Sequence, residues 1–337
     1  MPLSSSGQSS LLMRGVRKYI ILLLIGSAGF AALFFYLGYR AFYETGPMNR
    51  DMVYELPKGQ GVIRTAWELE NLGLVSSQKI FKFGVKLSGF ERNLHAGEFA
   101  IPKKSSMFDI MMILSSGKVI EHRLTIVEGW TSWQITDYLN SIDNLSDPIM
   151  DLPREGSLLP DTYQYTKNTP RHDLIRMMQG RQMDLMEGIW DKRADDLPLL
   201  SMEDALILAS IVEKETAVPH ERAHIAGVFI NRLRKNMRLQ TDPTVIYGID
   251  RKGFLDRPIY KSDLKADNPY NTYKIRGLPP TAIAHPGRAS IEAVLNPLKT
   301  DDLYFVADGT GGHAFAKTLR EHLKNVKKWR RIEKKKK

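Results

Sequence analysis

From Tyr19 to Tyr39 the chain runs YIILLLIGSAGFAALFFYLGY without a single charge, and no other stretch constrains the fold so tightly. At about 1.5 Å of rise per residue, a helix of that length matches a hydrocarbon core about 30 Å thick. Arg14, Arg17 and Lys18 precede the run and only Arg40 follows closely. The positive-inside rule therefore leaves residues 1–18 in the cytoplasm and puts everything after residue 40 on the far side. The small residues between Ser27 and Ala32 would suit a cleaved signal peptide, but Leu33 to Leu37 carry the apolar run past them. Tyr19, Tyr36 and Tyr39 fall where interfacial aromatics gather. The expectation is an uncleaved single-pass anchor over 19–39.

The remainder of the 337 residues has room for two modest domains, each with a core of its own. A net charge of +10 would suggest nucleic acid if it were spread over the surface. It is concentrated: the last fourteen residues hold nine Lys and Arg against Glu333 alone. No aromatic or glycine pattern for base stacking accompanies them. The tail, 326–337, reads as a solvated helix end, and no nucleic-acid partner is expected. Cysteine is absent, which excludes a disulfide framework, a thiolate metal site and a Cys nucleophile.

Residues 40–52 are polar, contain Gly46 and Pro47, and read as a stalk. A small mixed unit follows over 53–122. Thr65 to Leu72 and Ser77 to Leu87 have helical apolar spacing, Glu98 to Ile101 suits a strand, and SMFDIMMILS is an amphipathic helix capped by Ser106. Near His122 the pattern changes. RLTIVEG runs as a strand into a turn at Gly129, and TSWQITDYL opens a helix capped by Thr131 or Ser132. A mixed α/β domain over 123–325 is expected, with helices at 172–187, 201–216, 221–235 and 288–295 and a strand from Leu303 to Asp308.

The helix opening at Ser201 is the most informative segment. SMEDALILASIVEKET begins with a capping pair, Ser201 and Asp204, and is apolar on all sides, as a core helix is. Its last turn nevertheless carries Glu213 and Glu215. The negative end of the helix dipole and desolvation both raise a carboxyl pKa there, which suits a general acid. The plainer alternative is a solvated Glu-Lys-Glu end screened by Lys214. Three segments downstream, LQTDPTVIYG, NPYNTYKIRGLPPTAIAHPG and DGTGGHAF, read as long loops whose Asn, Thr, Tyr and Gln can bind sugar hydroxyls and acetamido groups, unless turn chemistry alone explains them. DGTGG lacks a Walker lysine, and His285 and His313 have no partner at metal-ligand spacing. Neither a metal nor any other cofactor is called for.

Together, EGSLLPDTYQY, ASIVEKET, VFINRL, LQTDPTVIYG, NTYKIRGLPPTAIAHPG and LYFVADGTGGHAF carry a specific resemblance. The chain resembles the MltG (YceG-like) family of endolytic murein transglycosylases, from the membrane helix to about residue 325. The resemblance implies a LysM-like small subdomain, a catalytic domain after it, and a bacterial inner-membrane location. It assigns the second glutamate of the triplet, Glu215, as the catalytic acid. Glu213, about 200° away around the helix, would orient the site or bind a neighbouring loop. Gln240, Thr241, Asp242, Asn271, Thr272, Tyr273 and His313 are expected to gather around Glu215 and bind substrate. The implied substrate is the peptidoglycan glycan strand, cut between N-acetylmuramic acid and N-acetylglucosamine to leave 1,6-anhydro ends. Termination of nascent strands and partnership with peptidoglycan synthases come with it. A non-enzymatic glycan-binding scaffold and a water-using muramidase are the alternatives.

Overall fold

A computed structural model describes residues 6–336. Residues 1–5 and Lys337, with the side chains of 6–16 (Arg14 among them) and of 335–336, lie outside the described residues. The first helix, α1 (Ser6–Tyr43), contains one segment, 17–43, that is long and apolar enough to cross a membrane, with a mean hydropathy of 2.4. The chain divides into two compact units, Met1–Glu121 and His122–Lys337.

In the first unit β1 (Met52–Leu56), α2 (Val62–Asn71), α3 (Gln78–Leu87), β2 (Gly97–Ile101) and α4 (Met107–Ser115) follow in order. The two strands pair antiparallel, with Met52 opposite Ile101 and Leu56 opposite Gly97. Leu56, Leu69, Phe81, Phe99 and Ile110 form a dry core. Ser106 caps α4 and Asp109 returns the bond, a reciprocal pair that satisfies two otherwise unpaired backbone donors. The segment read as a stalk is packed. Phe42 and Met48 belong to this core, and Gly46 and Met48 exchange backbone hydrogen bonds with Lys104. Two large apolar side chains in a polar stretch found a place to be buried, which composition alone did not suggest.

The second unit holds β3 (His122–Thr125), α5 (Ser132–Asn140), β4 (Leu145–Ser146), β5 (Thr162–Tyr165), β6 (Thr169–Pro170), α6 (Arg171–Trp190), α7 (Met202–Glu215), α8 (Arg222–Arg234), α9 (Asp242–Ile249), α10 (Arg288–Leu295), β7 (Tyr304–Ala307), β8 (His313–Ala316) and α11 (Leu319–Lys336). Mixed α/β is the right class in its coarser form: eleven helices and, among the described residues, sheets of only two strands each. β3 pairs with β5 and β7 with β8, both antiparallel, while β4 and β6 are a short parallel pair. The core is helical. Ser201 accepts from the Asp204 amide to start α7, whose Ala205, Leu208, Ala209, Ile211 and Val212 are buried among α8, α9 and α10.

Two segments read as loops carry regular structure. Asp242–Ile249 is the helix α9, with Pro243 in its first turn, and His313–Ala316 is the strand β8. The composition of α9 (Thr, Val, Ile, Tyr, Gly) disfavours a helix locally. Burial of Val245 and Tyr247 overrides that preference.

Candidate functional site

Glu215 is the last residue of α7, and the dry packing of Leu208, Ile211 and Val212 fixes where its side chain starts. The chain leaves the helix at Thr216, which is extended and buried. Glu215 itself keeps a partly open side. Its Oε1 accepts from the Thr241 hydroxyl. Burial pushes the Glu215 carboxyl above the ordinary carboxylate range. The Thr241 hydrogen bond works against that rise, the charge of Asp242 adds to it, and His313 and Arg232 oppose it.

Thr241 is the residue from which α9 begins, a position where a hydroxyl normally caps the helix. Here it makes no cap bond, because it is turned to Glu215. Its backbone is pinned from the other side: Thr241 N–H donates to Thr272 Oγ1 at 3.0 Å, and Gln240 N–H to the Thr272 carbonyl at 3.2 Å. Gln240 holds a left-handed backbone, φ +52°, and its side chain is exposed. Asp242 Oδ1 accepts from the Tyr273 phenol at 2.7 Å, and burial pushes that phenol up. Asn271 stands behind the site. Its amide nitrogen donates to the carbonyls of Ala266 and Asp263, and its oxygen accepts from Tyr273 N–H.

Of the residues named from the sequence, Thr241 touches Glu215, and Asp242 and His313 act on it through their charges. Tyr273 reaches it through Asp242, while Gln240 and Thr272 join by backbone and hydroxyl bonds. Asn271 shapes the loop, and Glu213 points elsewhere. Glu213 Oε2 accepts from Gly287 N–H at 2.9 Å and Oε1 lies 3.5 Å from Arg222 Nη2, so its carboxylate holds the segment before α10. Among the described residues no three His, Asp, Glu or Cys side chains are grouped to hold a metal ion.

Residues 54–328 match the profile of the YceG-like family. The chain belongs to the YceG-like family. An endolytic murein transglycosylase of Bacillus subtilis is 33% identical over 81% of this chain and 83% of its own length. One from Streptococcus pneumoniae is 30% identical over 80% of this chain, which spans 57% of that longer relative. A crystallised yceG-like protein of Listeria monocytogenes superimposes with a TM-score of 0.50 at 31% identity, over 82% of this chain and 99% of that one.

Two residues of the candidate site were not singled out from the sequence. Arg232, in VFINRL, is buried on α8 and donates to the carbonyls of Leu303 and Leu239, at 2.7 and 2.6 Å, tying the start of the Thr241 turn to the start of the β7–β8 hairpin. Glu221 lies in a short 3-10 turn, Pro219–Glu221, and accepts from both the backbone N–H and Nδ1 of His313. An arginine at a buried phase of a helical motif was the one available signal for the first; the second had none.

Proposed function

We propose that this chain is a lytic transglycosylase that cuts peptidoglycan strands internally, with Glu215 as its single acid and base. The observation that carries the reading is a partly exposed carboxyl, raised by burial, whose neighbouring carboxylates among the described residues are each bound to another group. Asp242 is bonded to Tyr273, Glu221 to His313, and Glu213 to Gly287 and Arg222. A hydrolase of the usual kind needs a second carboxylate as nucleophile or to activate water. A transglycosylase takes its nucleophile from the substrate.

In that reaction Glu215 gives its proton to the glycosidic oxygen between N-acetylmuramic acid and N-acetylglucosamine as the bond to C1 breaks. The C6 hydroxyl oxygen of the same N-acetylmuramic acid then closes on C1, and its proton returns to Glu215. No water is consumed, and the new end is a 1,6-anhydro sugar. Thr241 holds the carboxyl, and Asp242, Tyr273 and His313 bound the place where the sugar sits. Glu213 orients this end of α7 by holding the Gly287 segment.

The same reading makes the first unit LysM-like, which its strand–helix–helix–strand order supports. It makes α1 an inner-membrane anchor with a cytoplasmic N-terminus, supported by the cations ahead of the apolar run. Held there, the enzyme meets nascent strands beside the synthases that make them. Mass spectrometry of the products from purified peptidoglycan tests the reaction: anhydro ends are expected, and reducing ends alone would mean a muramidase. Cell fractionation with N-terminal sequencing tests the anchor, which a soluble protein beginning after Ala32 would refute.

A further inference from the structure

Glu221 spends both carboxylate oxygens on one residue. Oε1 accepts from His313 N–H at 2.9 Å and Oε2 lies 2.7 Å from Nδ1. The approach needs Gly312: a Cβ there would lie 2.6 Å from Glu221 Oε1, inside contact distance. The hairpin tip is closed around this arrangement by Asp308 N–H on the Gly312 carbonyl, at 3.0 Å, and the edge of the His313 ring meets Phe305 with centroids 5.4 Å apart. Burial works against charge on Glu221, but its bonds to His313 hold the carboxyl below the ordinary range, so it is ionised at neutral pH.

Resting on the transglycosylase reading, we infer that Glu221 is a positioning residue that fixes His313 with its proton on Nδ1 and turns Nε2 to the Glu215 site. A carboxylate on Nδ1–H sets the tautomer of an imidazole and makes its other nitrogen more basic. With Nδ1–H held by the carboxylate, Nε2 is left as an acceptor, to which a hydroxyl of the bound sugar can donate. Glu221 thus acts on the reaction through His313, without touching substrate.

Glu221→Gln places an amide N–H against Nδ1 and forces the other tautomer. On the full chain in detergent, with peptidoglycan as substrate, kcat is expected to fall roughly 10- to 100-fold with KM within about two-fold. Nitrogen-correlated NMR of the His313 ring should show its proton moved from Nδ1 to Nε2. Gly312→Ala, whose methyl displaces Oε1, should reproduce the NMR change without altering a charge and stands in if the first variant misfolds. In a His313→Gln background Glu221→Gln should cost nothing further. An unchanged His313 tautomer, or fully additive losses, overturns the inference. Absence of anhydro ends from the wild type would instead overturn the transglycosylase reading, and the NMR result would still decide the tautomer.

Discussion

Glu155 lies against His285, and Glu215 lies within reach of the charge of His313; each glutamate is raised by burial. Glu155 is enclosed. Both its oxygens accept from Ser132 N–H, at 3.0 and 3.1 Å, Tyr247 donates at 3.3 Å, and His285 Nε2 is 3.5 Å away. Burial pushes Glu155 up to about 7 and the wholly buried His285 down to about 3. With Ser132 Oγ 2.9 Å from His285 Nε2, the residue types of a nucleophilic triad are present. The group is sealed. His285 Nδ1 lies against both the N–H and the carbonyl of Leu158, at 3.0 and 3.2 Å, and Ser132 and His285 are wholly buried, so no substrate carbonyl can reach the hydroxyl. At Glu215, the Thr241 hydroxyl is the one hydrogen-bond partner among the described residues, and the second oxygen is left for a ligand. A raised pKa marks chemistry only where the acid can still reach a ligand, and the Glu155 group is a structural knot joining α5, α9 and the segment before α10.

Removing each acid should break or sharpen that contrast. The largest effect is expected from Glu215→Gln, with cleavage of purified peptidoglycan down by about 10³-fold or more and a melting temperature within about 2 °C of wild type. Full activity in a folded Glu215→Gln protein would erase the distinction. Glu155→Ala should do the converse, costing on the order of 2–4 kcal/mol in denaturant unfolding because the Ser132 amide and Tyr247 hydroxyl lose their acceptor. Its turnover per folded molecule should stay within about three-fold. Lost turnover at unchanged stability would place Glu155 in the chemistry.

The pH dependence of stability separates the pair more finely. A carboxyl raised to about 7 binds its proton more tightly folded than unfolded, so its contribution is complete below the ordinary carboxyl range and is lost as pH rises through about 7. His285 has the opposite sign, losing stability as pH falls below about 6.5. Thermal melts between pH 5 and 8 should therefore show Glu155→Gln declining less than wild type, by on the order of 1–3 kcal/mol. Parallel curves would mean that Glu155 is already charged. The smallest change is expected from Glu213→Gln, whose amide oxygen can still accept from Gly287. Activity should fall less than about ten-fold, and a loss equal to that of Glu215→Gln would reopen the choice of acid.

Local signals in the chain were enough for the apolar helix, the caps at Ser106, Thr131 and Ser201, the buried α7 and the carboxylates at its end. Each depends on neighbours within one or two turns, where apolar period and capping chemistry act. The resemblance added which carboxylate to favour. Tertiary structure alone decided the rest. β1 is five residues whose partner lies more than forty positions away. α9 is a helix because its surroundings bury Val245 and Tyr247, and Phe42 with Met48 turns an apparent stalk into core. Arg232, Glu221 and the enclosure of Glu155 depend on contacts across roughly seventy to ninety residues. A sequence can show that a charge is present and which face of a helix carries it. Which opposite charge, hydroxyl or carbonyl it meets, and how much water remains beside it, exists only once the chain has closed those loops.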